Sequence, residues 1–359
     1  MTIGVDGVRG RVLVVSASMG AGHDGAAREL CRRLEKLGFH AETRDFLDAA
    51  PWAGWIIKKV FEFQLRSAPW AYEATYRLWS LVPRLCGPAI GLVHIVFGRR
   101  IRTWARLMEA TAVVSTYPLA SLVLGRDRQR GRLDIPTATF VTDFAVHPLW
   151  VHPGVDLNLC VHPQSADHAE RATGRESHSP GPLVPERFSS QLPDRDRARA
   201  SLGVTPETKV VLVVAGSWGV GDVEATFAQL QLSSRYLPVV VCGTNHALQA
   251  RLERHAGGVV LGWTDDMPAL MAAADVLVQN AGGLTCMEAF AAGLPVVTYL
   301  PIPGHGRENA AQMDHSGVAA YVTCTQDLIP TLDRVTTLAG RSMVARGRAL
   351  FAGDAATYI

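Results

Sequence analysis

Two separate segments of this chain have the sequence of a β-strand, a glycine-containing loop and a helix in succession. The apolar run Val12–Val15 precedes a loop of small residues and then Asp24–Leu37, where apolar and small residues recur with a helical period. Val210–Val214 repeats this order, followed by the loop Ala215–Gly221 and the helical segment Asp222–Leu230. Because this unit builds parallel α/β sheets, its recurrence about 200 residues later predicts two such sheets.

Further strand candidates follow in each half of the chain. They are Ala112–Ser115, Thr137–Val141 and Leu157–Cys160 in the first half, and Val239–Cys242, Val259–Leu261, Val276–Gln279 and Pro295–Tyr299 in the second. Between the halves, Thr173–Asp194 is rich in Gly, Pro, Ser and charged residues, a composition typical of a linker. A chain of 359 residues suits two domains, which we predict at residues 1–183 and 184–359.

The composition excludes several classes of protein. A formal charge of +2 gives no reason to expect a nucleic-acid partner. The six cysteines lie far apart without a C-x-x-C pair, so we expect neither a zinc site nor a disulfide framework, which fits a cytoplasmic protein. The N-terminus lacks the pattern of a signal peptide, and the longest apolar stretch, near Leu85–Phe97, is interrupted by Gly, Pro and His. We therefore expect attachment to a membrane surface at most.

Residues 51–106 interrupt the α/β alternation with aromatic and basic side chains. Five tryptophans occur here among nine lysines and arginines, which predicts an insertion of amphipathic helices. These helices could form a layer packed on the core. They could also rest on an anionic membrane, because aromatic rings suit the interface and Lys and Arg suit lipid headgroups.

A candidate phosphate site lies in the second half, at Gln279-Asn-Ala-Gly-Gly-Leu-Thr-Cys-Met-Glu288. The strand Val276–Val278 ends at two glycines, and a helix should begin close to Leu284. Backbone N–H groups at a helix N-terminus bind phosphate, and glycine allows close approach. Glu288, one turn later, could accept hydrogen bonds from both hydroxyls of a ribose. Taken by itself, this pattern is also compatible with an ordinary strand–helix turn.

A second candidate site lies in the loop Ser16-Ala-Ser-Met-Gly-Ala-Gly-His23. A histidine at a helix start beside glycines can face a cleft, where its imidazole could take a proton from an attacking hydroxyl. His23 could instead cap the helix. The spacing Gly20-x-Gly22-x-x-Gly25, with Asp45 downstream, also matches the dinucleotide fingerprint, so an NAD-dependent oxidoreductase is an alternative.

A third segment, Thr142-Asp-Phe-Ala-Val-His-Pro-Leu-Trp150, follows the strand candidate Thr137–Val141. Asp143 and His147 should therefore emerge at a strand end, where open α/β sheets collect ligands. Either side chain could support catalysis or position an acceptor, and structural roles are equally compatible with the pattern.

Together these segments, with Gly262-Trp-Thr264 and Gly304-His-Gly-Arg-Glu-Asn309, resemble the GT-B glycosyltransferases of family 28, in particular the diacylglycerol glucosyltransferases and monogalactosyldiacylglycerol synthases. The resemblance implies an α/β GT-B fold, with two Rossmann-like domains facing a central cleft. The N-terminal domain would bind the acceptor and the C-terminal domain the UDP-sugar. The donor-binding residues would be Gly22, Gly216, Ser217, Trp263, Thr264, Gly282, Gly283, Leu284, Thr285, Glu288, Gly304, His305, Glu308 and Asn309.

The resemblance also implies an inverting transfer of a hexose from a UDP-sugar to a diacylglycerol-type lipid, with His23, Asp143 and His147 as catalytic residues. The UDP-sugar is a substrate, and neither a cofactor nor a metal is expected. A small natural product or nucleoside remains an alternative acceptor, because His305 stands near a common Gln and Ser217-Trp218 interrupt a glycine run. A sugar-nucleotide 2-epimerase is a further alternative on the same fold.

Overall fold

The computed structural model describes residues 9–81 and 86–359. The contacts divide the chain into two compact units. One unit runs to Leu183 and includes Leu350–Ile359, and the other is Val184–Ala349. The last ten residues thus pack with the first unit, whereas the sequence placed them in the second domain.

In the first unit, strands and helices alternate from the start. Its strands are β1 (Arg11–Ser16), β2 (His40–Asp45), β3 (Ala112–Ser115), β4 (Thr137–Val141), β5 (Leu157–Cys160) and β6 (Glu176–His178). Its helices are α1 (Ala21–Lys36), α2 (Pro51–Ser67), α3 (Pro69–Leu81), α4 (Gly87–Leu107), α5 (Pro118–Gln129) and α6 (Pro163–Thr173), with short 3₁₀ helices at Phe46–Ala49 and Ala355–Tyr358.

The strands of the first unit form one parallel sheet in the order β2-β1-β3-β4-β5-β6. The chain leaves β1 toward β2 on one side and continues through β3 on the other, so the strand order reverses between β1 and β3. Ligands of open α/β sheets bind at such a point, outside the carboxyl ends of the strands. A ligand site is therefore expected at the loops after β1 and β3.

The aromatic and basic insertion consists of α2, α3 and α4, as the sequence predicted; residues 82–85 lie outside the described chain. The buried face of α4 carries His94, Phe97, Gly98 and Ile101, and the Phe97 ring stacks on Phe46 at 4.4 Å between centroids. α2 packs closely against the 3₁₀ helix Phe46–Ala49, since a Cβ at Gly54 would lie 2.5 Å from the Leu47 carbonyl oxygen. The insertion is thus partly anchored on the core of the first unit.

The second unit repeats the α/β alternation. Its strands are β7 (Val210–Val214), β8 (Leu237–Val241), β9 (Val259–Leu261), β10 (Val276–Gln279), β11 (Val296–Tyr299) and β12 (Ala320–Val322). Its helices are α7 (Arg195–Ser201), α8 (Val223–Ser233), α9 (His246–Leu252), α10 (Met267–Ala273), α11 (Leu284–Ala292), α12 (His305–His315), α13 (Leu328–Val335) and α14 (Arg341–Ala349), with 3₁₀ turns at Glu186–Phe188, Thr325–Asp327 and Leu338–Gly340.

These strands form a parallel sheet in the order β12-β11-β10-β7-β8-β9. The order reverses between β7 and β10, which places the loop after β7 beside the Gly282-Gly283 turn after β10. The central strands are buried along their length, as near-continuous apolar runs of a parallel sheet require. The predicted helix start at Leu284 is confirmed.

Candidate active site

His23 lies in the first turn of α1, at the carboxyl end of β1. Its Nδ1 atom is 2.8 Å from the carbonyl oxygen of Thr116, which follows β3, and 3.2 Å from Oγ1 of Thr142, which follows β4. Three neighbouring strands therefore contribute residues to this position. The imidazole also contacts the rings of Tyr117 and Trp150, at 5.3 and 5.7 Å between centroids.

The contact with Thr116 fixes the tautomer of the neutral His23 ring. A carbonyl oxygen can only accept a hydrogen bond, so the proton must reside on Nδ1. The Thr142 oxygen then shares the same proton as a second acceptor. In this tautomer Nε2 carries the lone pair, and it is the nitrogen that can take a proton from an attacking hydroxyl.

Asp143 and Trp150 are joined within the segment that follows β4. The indole Nε1 of Trp150 donates a hydrogen bond of 2.8 Å to Oδ2 of Asp143, and Trp150 is fully buried. Because the indole also contacts the His23 ring, the structure brings Asp143 into the same cluster as His23.

His147 belongs to this cluster through its own contact with the Trp150 ring, with 6.3 Å between ring centroids. Its Nδ1 accepts a hydrogen bond from the Leu149 N–H, so the proton of the neutral ring is on Nε2. Nε2 of His147 is therefore a hydrogen-bond donor, whereas Nε2 of His23 is an acceptor. Tyr76 of α3 packs edge-on against it at 5.3 Å, which connects the insertion to the cluster.

In the second unit, Asn280 connects the loops after β7, β10 and β11. Its side-chain Nδ2 donates to the Val220 main-chain carbonyl at 2.8 Å, and its own main-chain carbonyl accepts from the Ile302 N–H at 2.8 Å. A Cβ at Gly221 would lie 2.3 Å from Asn280 Nδ2, so the loops meet without space for a side chain there. Three loops at the point of strand reversal are thus held as one surface.

The two glycines after β10 have different surroundings. The Gly282 N–H donates to Oε1 of Gln279 at 2.6 Å, and a Cβ at Gly282, where φ is +76°, would lie 2.6 Å from Cβ of Asn309. Gly283 precedes α11, and a Cβ there would meet no atom of the described chain within 4 Å. The first N–H groups of a helix have no carbonyl partner within it, so Gly283, Leu284 and Thr285 present the open part of the turn.

Glu288 lies one turn into α11 and is 9% exposed. Its carboxylate accepts no hydrogen bond from residues 9–81 and 86–359. Burial raises the pKa of Glu288 to about 8, and the charge of Arg187 opposes this increase. A buried carboxyl group without a donor is costly unless a ligand supplies one.

The segment Gly304–Asn309 forms the start of α12. Gly304 precedes the helix with φ of +66°, His305 is its first residue, and Glu308 is exposed in the first turn. Asn309 is fully buried and donates through Nδ2 to the Ala281 carbonyl at 3.4 Å. The structure thus brings Asn309 to the Gly282-Gly283 turn.

Four predicted donor residues lie on the loops after β7 and β9, and one lies in the first unit. A Cβ at Gly216, where φ is +67°, would meet nothing within 4 Å, and the Ser217 carbonyl accepts from the N–H and hydroxyl of Thr244. Trp263 is 54% exposed, and Thr264 Oγ1 accepts from the Asp266 N–H. Gly22 is in α1, next to His23.

Five residues of these clusters were not indicated as site residues by the sequence pattern, namely Thr116, Thr142, Trp150, Gln279 and Asn280. Gln279 accepts from the N–H groups of Ala281 and Gly282 and donates to Thr298 Oγ1 at 2.6 Å, so it shapes the whole turn. A detectable signal existed for Gln279 and Asn280, because two consecutive amide side chains at the end of a buried strand require polar partners.

The structure bears on two further expectations. Asp45, the candidate ribose acid of a dinucleotide site, accepts from the N–H groups of Ser18 and Leu47, so both carboxylate oxygens hold the backbone. Among the described residues, no group of three or more His, Cys, Asp and Glu side chains is arranged to hold a metal ion. A metal-independent reaction stays a prediction.

Comparison with known families matches each unit separately. The family described as monogalactosyldiacylglycerol (MGDG) synthase matches residues 23–178, and the glycosyltransferase family 28 C-terminal domain matches residues 210–338. The first unit is therefore similar to the MGDG synthases, and the second to the C-terminal domain of family 28 glycosyltransferases. The protein is a glycosyltransferase, and the oxidoreductase alternative is not supported.

Curated relatives match over most of the chain. The processive diacylglycerol β-glucosyltransferase of Bacillus subtilis (strain 168) is 28% identical over 351 residues, covering 91% of this chain and 86% of that protein. The protein of the same name from Bacillus licheniformis is 25% identical over 344 residues, covering 89% and 85%. The crystal structure of MurG from Acinetobacter baumannii superposes with a TM-score of 0.59 at 16% identity, covering 97% of both chains. The fold is therefore the α/β GT-B fold, as predicted.

In the described part of the chain, no helix combines the length and the apolar character required to cross a bilayer.

Proposed function

We propose that the protein is a metal-independent, inverting hexosyltransferase that uses a UDP-sugar as donor and a diacylglycerol-type lipid as acceptor. The observation that carries the proposal is the buried Glu288 carboxylate, which accepts no hydrogen bond from the described part of the chain and lies one turn after the open N-terminus of α11. A ribose diol would supply two hydrogen bonds to this carboxylate. The lipid acceptor is supported by the names of the curated relatives.

The donor diphosphate would bind at the start of α11. The N–H groups of Gly283, Leu284 and Thr285 point out of the helix N-terminus, and the helix dipole favours negative charge there. This arrangement would stabilise the leaving UDP without a divalent cation. The remaining donor residues would shape the loops or contact the base and the sugar, namely Gly22, Gly216, Ser217, Trp263, Thr264, Gly282, Gly304, His305, Glu308 and Asn309.

His23 would be the general base. The acceptor hydroxyl oxygen attacks the anomeric carbon, its proton passes to Nε2 of His23, and the bond from the anomeric carbon to the phosphate oxygen breaks to release UDP. A single displacement inverts the configuration at the anomeric carbon. His147, with its proton on Nε2, would donate a hydrogen bond to the acceptor, and Asp143 would hold the cluster through Trp150.

The exposed face of α2 would contact an anionic membrane surface from the cytoplasmic side. Five apolar side chains that are between 46% and 66% exposed follow one side of this helix at helical spacing: Trp52, Trp55, Ile56, Val60 and Phe63. Lys59 and Arg66 lie on the same side. An amphipathic helix with this composition lies in the plane of a membrane interface, where the lipid acceptor is found.

The proposed donor is tested by thermal-shift titration with UDP, UDP-glucose, UDP-galactose and UDP-N-acetylglucosamine, on the wild type and on Glu288→Ala. A ligand that binds only the folded state must raise the melting temperature. We expect UDP compounds to stabilise the wild type and to lose this effect in Glu288→Ala. If no UDP compound stabilises the wild type, the proposed donor is wrong.

Transfer is tested with the best donor and diacylglycerol in vesicles, with EDTA present. The anomeric proton coupling of the product reports inversion, and activity in EDTA reports metal independence. Replacing Trp52, Trp55 and Phe63 together by Ser should abolish co-sedimentation with anionic vesicles and leave UDP binding unchanged. Retention of vesicle binding would contradict the role of α2.

A further inference from the structure

The contacts of Thr142 with His23 point to a function for a residue outside the predicted site. Thr142 follows β4 and is partly buried, and its Oγ1 is 3.2 Å from Nδ1 of His23. The same nitrogen is 2.8 Å from the Thr116 carbonyl. A proton on Nδ1 leaves no lone pair there, so the Thr142 oxygen must accept and its own hydroxyl proton must be directed elsewhere.

We propose that Thr142 is a positioning residue for His23, which holds the Nδ1–H tautomer and the orientation of the imidazole together with the Thr116 carbonyl. This inference rests on the proposed function only in treating His23 as the base. The two acceptors lie after β3 and β4, so they fix the ring from two neighbouring strands. Nε2 is thereby kept as the basic nitrogen.

The hydroxyl has a second consequence for proton transfer. When Nε2 takes a proton, the ring becomes a cation, and its Nδ1–H bonds become charge-assisted and stronger. An acceptor on Nδ1 therefore stabilises the protonated ring more than the neutral ring. The same reasoning underlies the second partner of catalytic and metal-bound histidines.

Other titratable side chains surround His23 and must be kept unchanged in any test. They approach from each element packed against it: Tyr117 directly, Asp143 and His147 through Trp150, and Asp24, Asp45 and Lys58 through the segment between β1 and α1. A change confined to Thr142 leaves all of these in place.

The kinetic test compares Thr142→Val, which removes the hydroxyl at nearly constant volume, with Thr142→Ser, which retains it. We expect Thr142→Val to lower kcat about 3- to 10-fold and to move the acid limb of the kcat/KM profile down by about half to one pH unit, with the donor KM unchanged. Thr142→Ser should restore both quantities. The matched control is Thr139→Val on β4, whose buried hydroxyl has no hydrogen-bond partner in the described chain.

A spectroscopic test does not depend on turnover. In the protein labelled with ¹⁵N-histidine, the His23 signals, assigned by their loss in His23→Gln, should show Nδ1 protonated and Nε2 unprotonated at high pH. Thr142→Val should increase the Nε2–H tautomer or broaden the signals, and Thr139→Val should not.

The outcomes separate the two proposals. If His23→Gln retains transfer activity, the assignment of the base fails. If His23→Gln is inactive while Thr142→Val has wild-type kcat, pH profile and histidine signals, the positioning role of Thr142 is overturned and the base assignment stands. An increase in donor KM without a change in kcat would also overturn it.

Discussion

The candidate sites of the two units are built from different parts of the chain. In the first unit, side chains make the site: His23 contacts Thr142, and Trp150 joins Asp143 to the same cluster. In the second unit, backbone turns make the site, and the amide groups of Gln279 and Asn280 hold these turns in place. The site of the first unit presents a reactive side chain, and the site of the second unit presents a surface shaped by main-chain turns.

This difference determines what a substitution should change. A side-chain site can lose its reactive group while the sheet beneath it keeps its structure. In a backbone site, some of the residues that shape the ligand surface also hold three loops together, so substitutions at those residues should change binding and stability together. Substitutions that separate activity from stability in the first unit, and that change both at the loop-holding residues of the second, would sharpen the comparison.

The largest expected effect is on catalysis in the first unit. Replacing His23 by Ala removes the proposed base, so kcat should fall by about 10²- to 10⁴-fold. The melting temperature and the stabilisation by UDP should stay close to the wild type, because the donor would bind to the other unit. Radiolabel transfer and thermal shift measure these two quantities. His40→Ala, on the exposed edge strand β2, is the control, and equal loss of activity in both variants would contradict the prediction.

The position of this reactive group could be predicted from the sequence. Strand, glycine loop and helix place His23 at the carboxyl end of β1, and the apolar runs gave β3, β4, β5 and β7 with little error. β2 was missed, because His40–Asp45 is an exposed edge strand with only one apolar residue. Helix α14 ends at Ala349, and the chain then returns to the first unit, whereas the sequence placed residues 350–359 in the second domain.

The partners of His23 could not be predicted in the same way. Thr116 contributes a carbonyl oxygen, which every residue has, and its approach depends on the neighbouring position of β1 and β3. The sequence also did not distinguish the surroundings of Gly282 from those of Gly283. Only the packing of α12 shows that one glycine touches Asn309 and the other faces open space.

The next effect concerns the charge of Glu288. Its pKa is raised by burial to about 8, so the folded protein binds a proton that the unfolded chain has lost between about pH 4.5 and pH 8. The contribution of Glu288 to the free energy of unfolding is therefore complete below its pKa in the unfolded chain. It is lost as pH rises through its pKa in the folded protein, at up to about 1.4 kcal/mol per pH unit. Glu288→Gln should remove this dependence of the free energy of unfolding on pH.

Urea unfolding at pH 5, 6.5 and 8 measures the slope for the wild type, for Glu288→Gln and for the exposed-residue control Glu207→Gln. We expect Glu288→Gln to gain stability relative to the wild type by about 1–4 kcal/mol between pH 5 and pH 8. Parallel pH profiles for all three proteins would mean that the Glu288 carboxyl group is not desolvated. A saturating concentration of UDP should reduce the difference, because a ribose diol would satisfy the carboxylate.

A smaller effect distinguishes the two glycines of the turn. Ala at position 282 would place its Cβ 2.6 Å from Asn309 Cβ at a positive φ, so we expect a loss of about 1–3 kcal/mol in stability. Ala at position 283 meets open space, so stability should change by less than about 0.5 kcal/mol, while UDP affinity falls about 10-fold. Chemical denaturation and calorimetric titration measure both. Unchanged UDP affinity in Gly283→Ala would place the diphosphate elsewhere.

The smallest effect concerns two threonines near the end of β4. Thr139 is fully buried and its hydroxyl has no partner in the described chain, whereas the Thr142 hydroxyl contacts His23. A buried polar group without a partner destabilises the folded state, so Thr139→Val should raise stability by about 0.5–1 kcal/mol without changing kcat. Thr142→Val should do the reverse, lowering kcat with little change in stability. Denaturation and initial-rate measurements on both variants test this. If both variants changed kcat equally, the first unit would depend on the packing of β4 as a whole, and its difference from the backbone-built site of the second unit would disappear.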